Sequence, residues 1–140
     1  MKKMIGALLL TSAVSAQANP YDMVVTKVTD GDTIRVDASS WVLPELGDTI
    51  GIRIMGIDTP EKGGRAKCDA EAELGEKATE FAKSVIAVGD TVQVEVIQWD
   101  KFGGRIDAVV LVDGQNFGQM QIDRGLAKPY DGGTKESWCD

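Results

Sequence analysis

Hydrophobic periodicity switches once along this chain and then switches back, and that change limits the folds open to it. Apolar residues alternate between Met23 and Ile57, recur at helical spacing from Asp69 to about Val88, and alternate again from Thr91 to Asp113. Alternation marks a strand with one buried face; spacings of three and four mark a helix with one apolar stripe. "MVVTKVT" (Met23–Thr29) and "TIRVDA" (Thr33–Ala38) flank Asp30-Gly31-Asp32, which predicts a hairpin. "TIGIRIMGI" (Thr49–Ile57) predicts a third strand, with its glycines marking bulges. Leu74, Ala78, Phe81 and Val85 make the helical stripe, which Gly89-Asp90 ends. "TVQVEVIQW" (Thr91–Trp99) and "IDAVVLVD" (Ile106–Asp113) predict strands four and five. A short helix follows from Asn116 to about Arg124, closed by Gly125.

Three strands, a helix, two strands and a helix predict a small, mainly β domain of α+β type. The order suits a five-stranded Greek-key OB-fold barrel, with a helix between strands 3 and 4 and a short helix after strand 5. The first residues stand apart. Lys2 and Lys3 precede an apolar run from Met4 to about Leu10, and Ala16-Gln17-Ala18 follows the small-x-small pattern of a signal-peptidase site. Residues 1–18 therefore read as a signal peptide and 19–140 as one domain of 122 residues. The apolar run is far shorter than the ~20 residues of a spanning helix, so a retained anchor is the weaker alternative. The expectation is export, to the periplasm or beyond, with no stable membrane association and a monomeric state.

Composition narrows the chemistry. With 15 basic against 22 acidic residues the net charge is −7, and loss of Lys2 and Lys3 makes it −9. Such a chain repels polyanions except at a local basic patch or a bound cation. It contains no histidine. That excludes Ser-His and Cys-His catalysis and the usual zinc sites. The two cysteines, Cys68 and Cys139, read as a disulfide in an exported chain, with two free thiols or an intermolecular bridge as the alternatives.

What remains for catalysis is oxygen and guanidinium. "RIMGIDTPE" (Arg53–Glu61) ends a strand by bringing Asp58 and Glu61 together behind an arginine. Like charges brought together this way call for a cation. Asp32, Asp58 and a backbone carbonyl are hard oxygen donors of the kind calcium or magnesium takes. A further carboxylate can activate water, and Arg53 with Arg105 can clamp a phosphate in bidentate fashion. Each residue also has an ordinary reading: Asp32 and Asp58 as turn residues, the arginines as solvated strand and turn residues.

"DGDT" (Asp30–Thr33), "RIMGIDTPE", "DKFGGR" (Asp100–Arg105) and "RGLAKPY" (Arg124–Tyr130), in this order, resemble the staphylococcal nuclease (thermonuclease) family. The resemblance implies an OB-fold and calcium-dependent hydrolysis of DNA and RNA that leaves 3′-phosphate ends. It casts Asp32 and Asp58 as calcium carboxylates and Thr59 as the carbonyl ligand. Glu61 corresponds to the residue that positions or deprotonates the attacking water. Arg53 corresponds to the phosphate-binding arginine, and Arg105 to a second arginine that stabilises the transition state. Lys101 and Phe102 fall on substrate-binding positions, Tyr130 is carried over from about one position beside the family's base-contacting tyrosine, and Lys62, Arg65 and Lys67 fall near the rim. Phe102 stands where the family commonly has tyrosine; it keeps a stacking face but no hydroxyl. Gly103-Gly104 adds one glycine before Arg105, which a bulge would absorb. A Cys68–Cys139 bridge would pin the tail against the loop before the helix. The competing classes are a non-catalytic OB-fold module that binds nucleic acid or another polyanion, and a small calcium-binding domain.

Overall fold

The computed structural model describes residues 20–39, 48–101 and 103–140. The expected signal peptide and the stacking role of Phe102 lie outside them. Strands β1 (Tyr21–Asp30), β2 (Thr33–Asp37) and β3 (Thr49–Ile54) come first, then a two-residue β4 (Ile57–Asp58). Helix α1 (Asp69–Val85) precedes β5 (Thr91–Trp99) and β6 (Arg105–Val112). A two-residue β7 (Gln115–Asn116), helix α2 (Phe117–Asp123) and a two-residue β8 (Lys128–Pro129) complete the order. β1 pairs antiparallel with β2 and β5, β2 with β3, and β5 with β6. A parallel β3–β6 pairing closes the ring β1-β2-β3-β6-β5. The architecture is the expected OB-fold barrel, an α+β domain with its two helices in the expected places.

Inward positions of all five strands fill the barrel. Ile34, Val36, Ile52, Ile54, Val92 and Val94 are at most 1% exposed. Full burial of such a side chain contributes about 1.5–3 kcal/mol each, so the closed ring carries most of the hydrophobic stabilisation. In β1 the buried positions run Met23, Val25 and then Val28, a step of three where alternation demands two. A register shift between Val25 and Lys27 supplies the extra residue and returns Val28 to the inside. β3 corrects the bulge expectation, because its register against β2 is continuous from Thr49 to Arg53. Gly51 is instead a close-approach residue: an added Cβ would sit 3.3 Å from Cβ of Arg105. The expected nine-residue third strand is also split, since a turn at Met55-Gly56 separates β3 from β4.

The face α1 lays on the barrel keeps Ala78 of the expected stripe, with Phe81 and Val85 packed at its edge, but is centred elsewhere. Its buried residues are Glu71, Gly75, Ala78, Thr79 and Ala82, while Leu74, Phe81 and Val85 are only half buried. The helix lies too close for large side chains along that line. A Cβ on Gly75 would stand 2.4 Å from the Glu61 carbonyl oxygen, and one on Gly31 would stand 2.8 Å from Cβ of Ala78. Helix α2 is capped by the Asn116 side chain, which accepts from the Gln119 amide at 3.2 Å. Its first residue, Phe117, is fully buried in the core, with its ring stacked 6.1 Å from that of Phe81. Among the described residues no helix is long and apolar enough to cross a membrane.

Candidate active site

The β1–β2 turn, the end of β3 and the loop after β4 meet at one end of the barrel. A backbone hydrogen bond from Ile54 to the Asp32 carbonyl (2.8 Å) ties the first two together. Arg53 points along this seam. Its Nη1 donates to the Ile54 carbonyl at 2.8 Å and its Nη2 to the Ile57 carbonyl at 3.2 Å. Its Nη2 also lies 3.7 Å from Asp32 Oδ2. Asp32 takes a hydrogen bond from the Thr33 hydroxyl, and its amide donates to Asp30 at 3.2 Å. Burial, then the charge of Asp32, raises Asp30 from 3.8 to about 6, and Glu61 adds to the effect from further off. Three acids thus feel one another here.

Asp58 and Thr59 are each 5% exposed. Asp58 Oδ1 lies 3.3 Å from the Lys135 ammonium, and Oδ2 accepts from the Trp138 indole nitrogen at 3.2 Å. Glu61 is more open and pairs with Arg65 at 3.5 Å. Its backbone is anchored from below: the buried Glu71 carboxylate accepts from the amides of Glu61 (3.0 Å) and Lys67 (2.9 Å). Burial opposes the charge on Glu71, but these two amides together with the charges of Lys67 and Lys135 hold the group below its ordinary range. Lys62 donates to the Thr29 carbonyl at 3.3 Å. Asp32, Asp58, Glu61 and the Thr59 carbonyl are oxygen donors at this end of the barrel. In charge and hardness these donors suit a calcium-like cation. Among the described residues no three acidic, cysteine or histidine side chains close on a common metal position.

Arg105 opens β6, opposite Gly51 of the parallel neighbour β3, while Arg53 lies opposite Asp107. Both arginines therefore belong to adjacent strands of one seam. Both glycines before Arg105 lie in the β5–β6 connection, and the β5–β6 pairing also carries a register shift between Val96 and Gln98. Gly103 and Gly104 both have positive φ (78° and 76°), which a side chain would resist, and Asp100 N–H donates to the Arg105 carbonyl at 3.0 Å. Arg105 Nε lies 3.3 Å from the buried Asp100 carboxylate. Behind it Asp107 is buried with one carboxyl oxygen unpartnered, and burial, then the Asp100 carboxyl, raises its pKa. Lys101 lies exposed in the same turn. Tyr130 is half buried after β8 and donates its hydroxyl to the Gly133 carbonyl at 2.8 Å. A cleft of about 410 Å³ joins Tyr130 to Asp58, with Lys128, Asp131, Thr134 and Glu136 around it but neither Arg53 nor Arg105.

Four positions that contact the candidate site escape sequence reasoning: Glu71, Gln121, Lys135 and Trp138. The amide of Gln121, fully buried, donates to the Gly31 and Ala78 carbonyls at 3.0 Å each, stapling the Asp30–Asp32 turn to both helices. Glu71 carried a weak signal as an acid in a helix's first turn. Cys68 and Cys139 form a disulfide, with Cα atoms 6.0 Å apart, and it holds the tail beside the start of α1.

The sequence family described as staphylococcal nuclease homologue matches residues 51–137. The chain belongs to that family. It is 32% identical over 115 residues to "Endonuclease YhcR" of Bacillus subtilis (strain 168), which spans 79% of this chain and 9% of that protein. It is 34% identical over 107 residues to an "Uncharacterized endonuclease" of Escherichia coli O157:H7, spanning 76% of this chain and 60% of that one. It is 42% identical over 69 residues to "Uncharacterized lipoprotein MG186" of Mycoplasma genitalium, 46% of this chain and 25% of that protein. The chain thus spans less than two thirds of each of these relatives.

Proposed function

We propose that this staphylococcal nuclease homologue is an exported, calcium-dependent nuclease that cleaves phosphodiester bonds in DNA and RNA with low sequence specificity, leaving 3′-phosphate ends. The observation that carries the reading is Arg53, whose guanidinium is fixed by two backbone carbonyls against Asp32 at the mouth of an acidic cluster. Relatives named as endonucleases support it, as does a disulfide compatible with export. A bound calcium ion, held by Asp32, Asp58 and the Thr59 carbonyl, would neutralise phosphate charge and polarise its oxygens.

The chain's own residues supply the rest. Arg53 binds the phosphate through N–H donors the carbonyls leave free, and holds it more tightly as charge grows on phosphorus. Glu61, half exposed and steered through its backbone by Glu71, orients or deprotonates the attacking water. Arg105 stabilises charge on the equatorial oxygens once it exchanges Asp100 for substrate. Tyr130, Lys101 and Phe102 bind the flanking nucleotide. The test is digestion of plasmid DNA and single-stranded RNA in calcium and in excess chelator, with Arg53→Ala alongside. Cleavage that needs calcium and is lost in the variant is expected. Retained binding without cleavage would favour a non-catalytic module. Glu61→Ser is expected to lower the rate by orders of magnitude while calcium-dependent nucleotide binding persists; equal loss of both would refute its role.

A further inference from the structure

The C-terminal tail reaches a carboxylate that the proposed chemistry uses. β8 pairs with β4, Lys128 opposite Asp58, and so aims the chain after it across Asp58. Both carboxylate oxygens of Asp58 then meet tail side chains, Oδ1 the Lys135 ammonium at 3.3 Å and Oδ2 the Trp138 indole at 3.2 Å. Trp138 is itself held. The Lys128 ammonium sits 4.5 Å from its ring centroid and donates to the Ser137 carbonyl at 2.7 Å. The next residue, Cys139, is bonded to Cys68. A ring fixed on one face by a cation and through the chain by a disulfide can turn its N–H in few directions.

From this geometry we infer that Trp138 is a positioning residue for Asp58, and that the disulfide-tethered tail is a built part of the cation site. The inference rests on the cation reading given above. The two tail contacts act in opposite directions. The neutral indole N–H fixes one carboxylate oxygen and leaves the charge in place, as outer hydrogen bonds to metal ligands do. The Lys135 ammonium, 48% exposed at its side chain, cancels charge at the other oxygen and repels a divalent cation. Removing Trp138 Nε1–H should therefore weaken cation binding, and removing the Lys135 ammonium should strengthen it.

The experiment is calorimetric titration of calcium into the full chain, Trp138→Phe and Lys135→Met, with melting curves for each and the tryptophan indole N–H resonances in an NMR spectrum. Trp138→Phe keeps the ring that Lys128 covers and removes only the donor. Its calcium affinity is expected to fall about tenfold or more, the range for outer-shell losses. That of Lys135→Met is expected to rise. In wild type the Trp138 indole resonance is expected to move in Asp58→Asn and on reduction of the disulfide. Unchanged affinity in Trp138→Phe, or an indole resonance indifferent to Asp58→Asn, overturns the inference. So does a parallel loss of affinity and melting temperature in both tail variants, which would make the tail a clamp and nothing more. A wild-type chain that binds no calcium removes the cation reading itself. That outcome is separate, because the indole resonance still reports whether Trp138 holds Asp58.

Discussion

Arg53 spends two of its donors on the Ile54 and Ile57 carbonyls, so its guanidinium plane is set by the backbone before any substrate arrives. Charge alone does not reproduce that. Lysine at this position keeps +1 but loses the planar fork. Arg53→Lys is therefore expected to lower kcat by roughly 10²–10³-fold, the usual cost of one transition-state donor, with little change in melting temperature. Single-turnover rates at saturating substrate measure this directly. Asp107 makes a prediction of the opposite kind, about stability alone. Burial and the neighbouring Asp100 raise its pKa in the folded chain, so folding favours the protonated form. Above the ordinary carboxylate range the folded state must carry a buried charge, and stability falls as pH rises through the raised value; below pH 3.8 the penalty is gone. Asp107→Asn, which mimics the protonated group, is expected to raise the melting temperature at pH 7 and to leave it unchanged near pH 3.5. A gain of equal size at both pH values would show that the effect is not charge.

At the scale of elements, Gly75 decides how α1 meets the active-site loop. On an exposed helix face, Gly→Ala is expected to stabilise by about 1 kcal/mol. Here the new Cβ would stand 2.4 Å from the Glu61 carbonyl, and backbone must move. Overpacking costs about 1–3 kcal/mol, so the clash outweighs the propensity gain and Gly75→Ala is expected to destabilise. It also displaces Glu61, so activity should fall further than the melting temperature implies; thermal melts and rates on the same samples separate the two. The same contact explains what could be read from the sequence. The five barrel strands were legible because their inward positions are mostly Val and Ile, with Met23 and Ala108, in an alternation that breaks once in β1 between Val25 and Val28. The α1 stripe was legible in part: Ala78 is buried and Phe81 and Val85 pack against the core, but the line of closest approach holds Glu71, Gly75 and Thr79, and hydrophobicity does not mark such residues. Asp32, Arg53, Asp58, Glu61 and Arg105 stood out in the sequence as candidates from their types and order. Lys135 and Trp138 did not. They sit in a polar, glycine-containing segment with no periodicity, and only the β4–β8 pairing and the disulfide bring them to Asp58.

Taken as a whole, the molecule is an acidic chain that, under the proposed function, has to hold a polyanion. Its net charge is −7, and the basic residues Lys62, Arg65 and Lys67 cluster in one loop beside the site. Binding is then local and screened, and DNA affinity is expected to drop steeply between 50 and 200 mM salt. A titration at several salt concentrations checks it. The disulfide sets the other global property. Cys68 and Cys139 are 71 residues apart, so the bridge closes more than half of the chain into one loop. The tail it ties down is mostly exposed, with few packing contacts to lose. Most of its stabilisation must therefore come from restricting the unfolded chain, which for a loop of this length is about 4 kcal/mol. That is a large part of the 5–15 kcal/mol typical of a domain. Cys68→Ser/Cys139→Ser is expected to unfold at a clearly lower urea concentration while keeping the barrel, because no core residue has changed. Its m value is expected to rise, since the unfolded chain is free to expand and expose more surface. A midpoint that stays in place would locate the bridge's contribution in the tail and the Asp58 contacts alone.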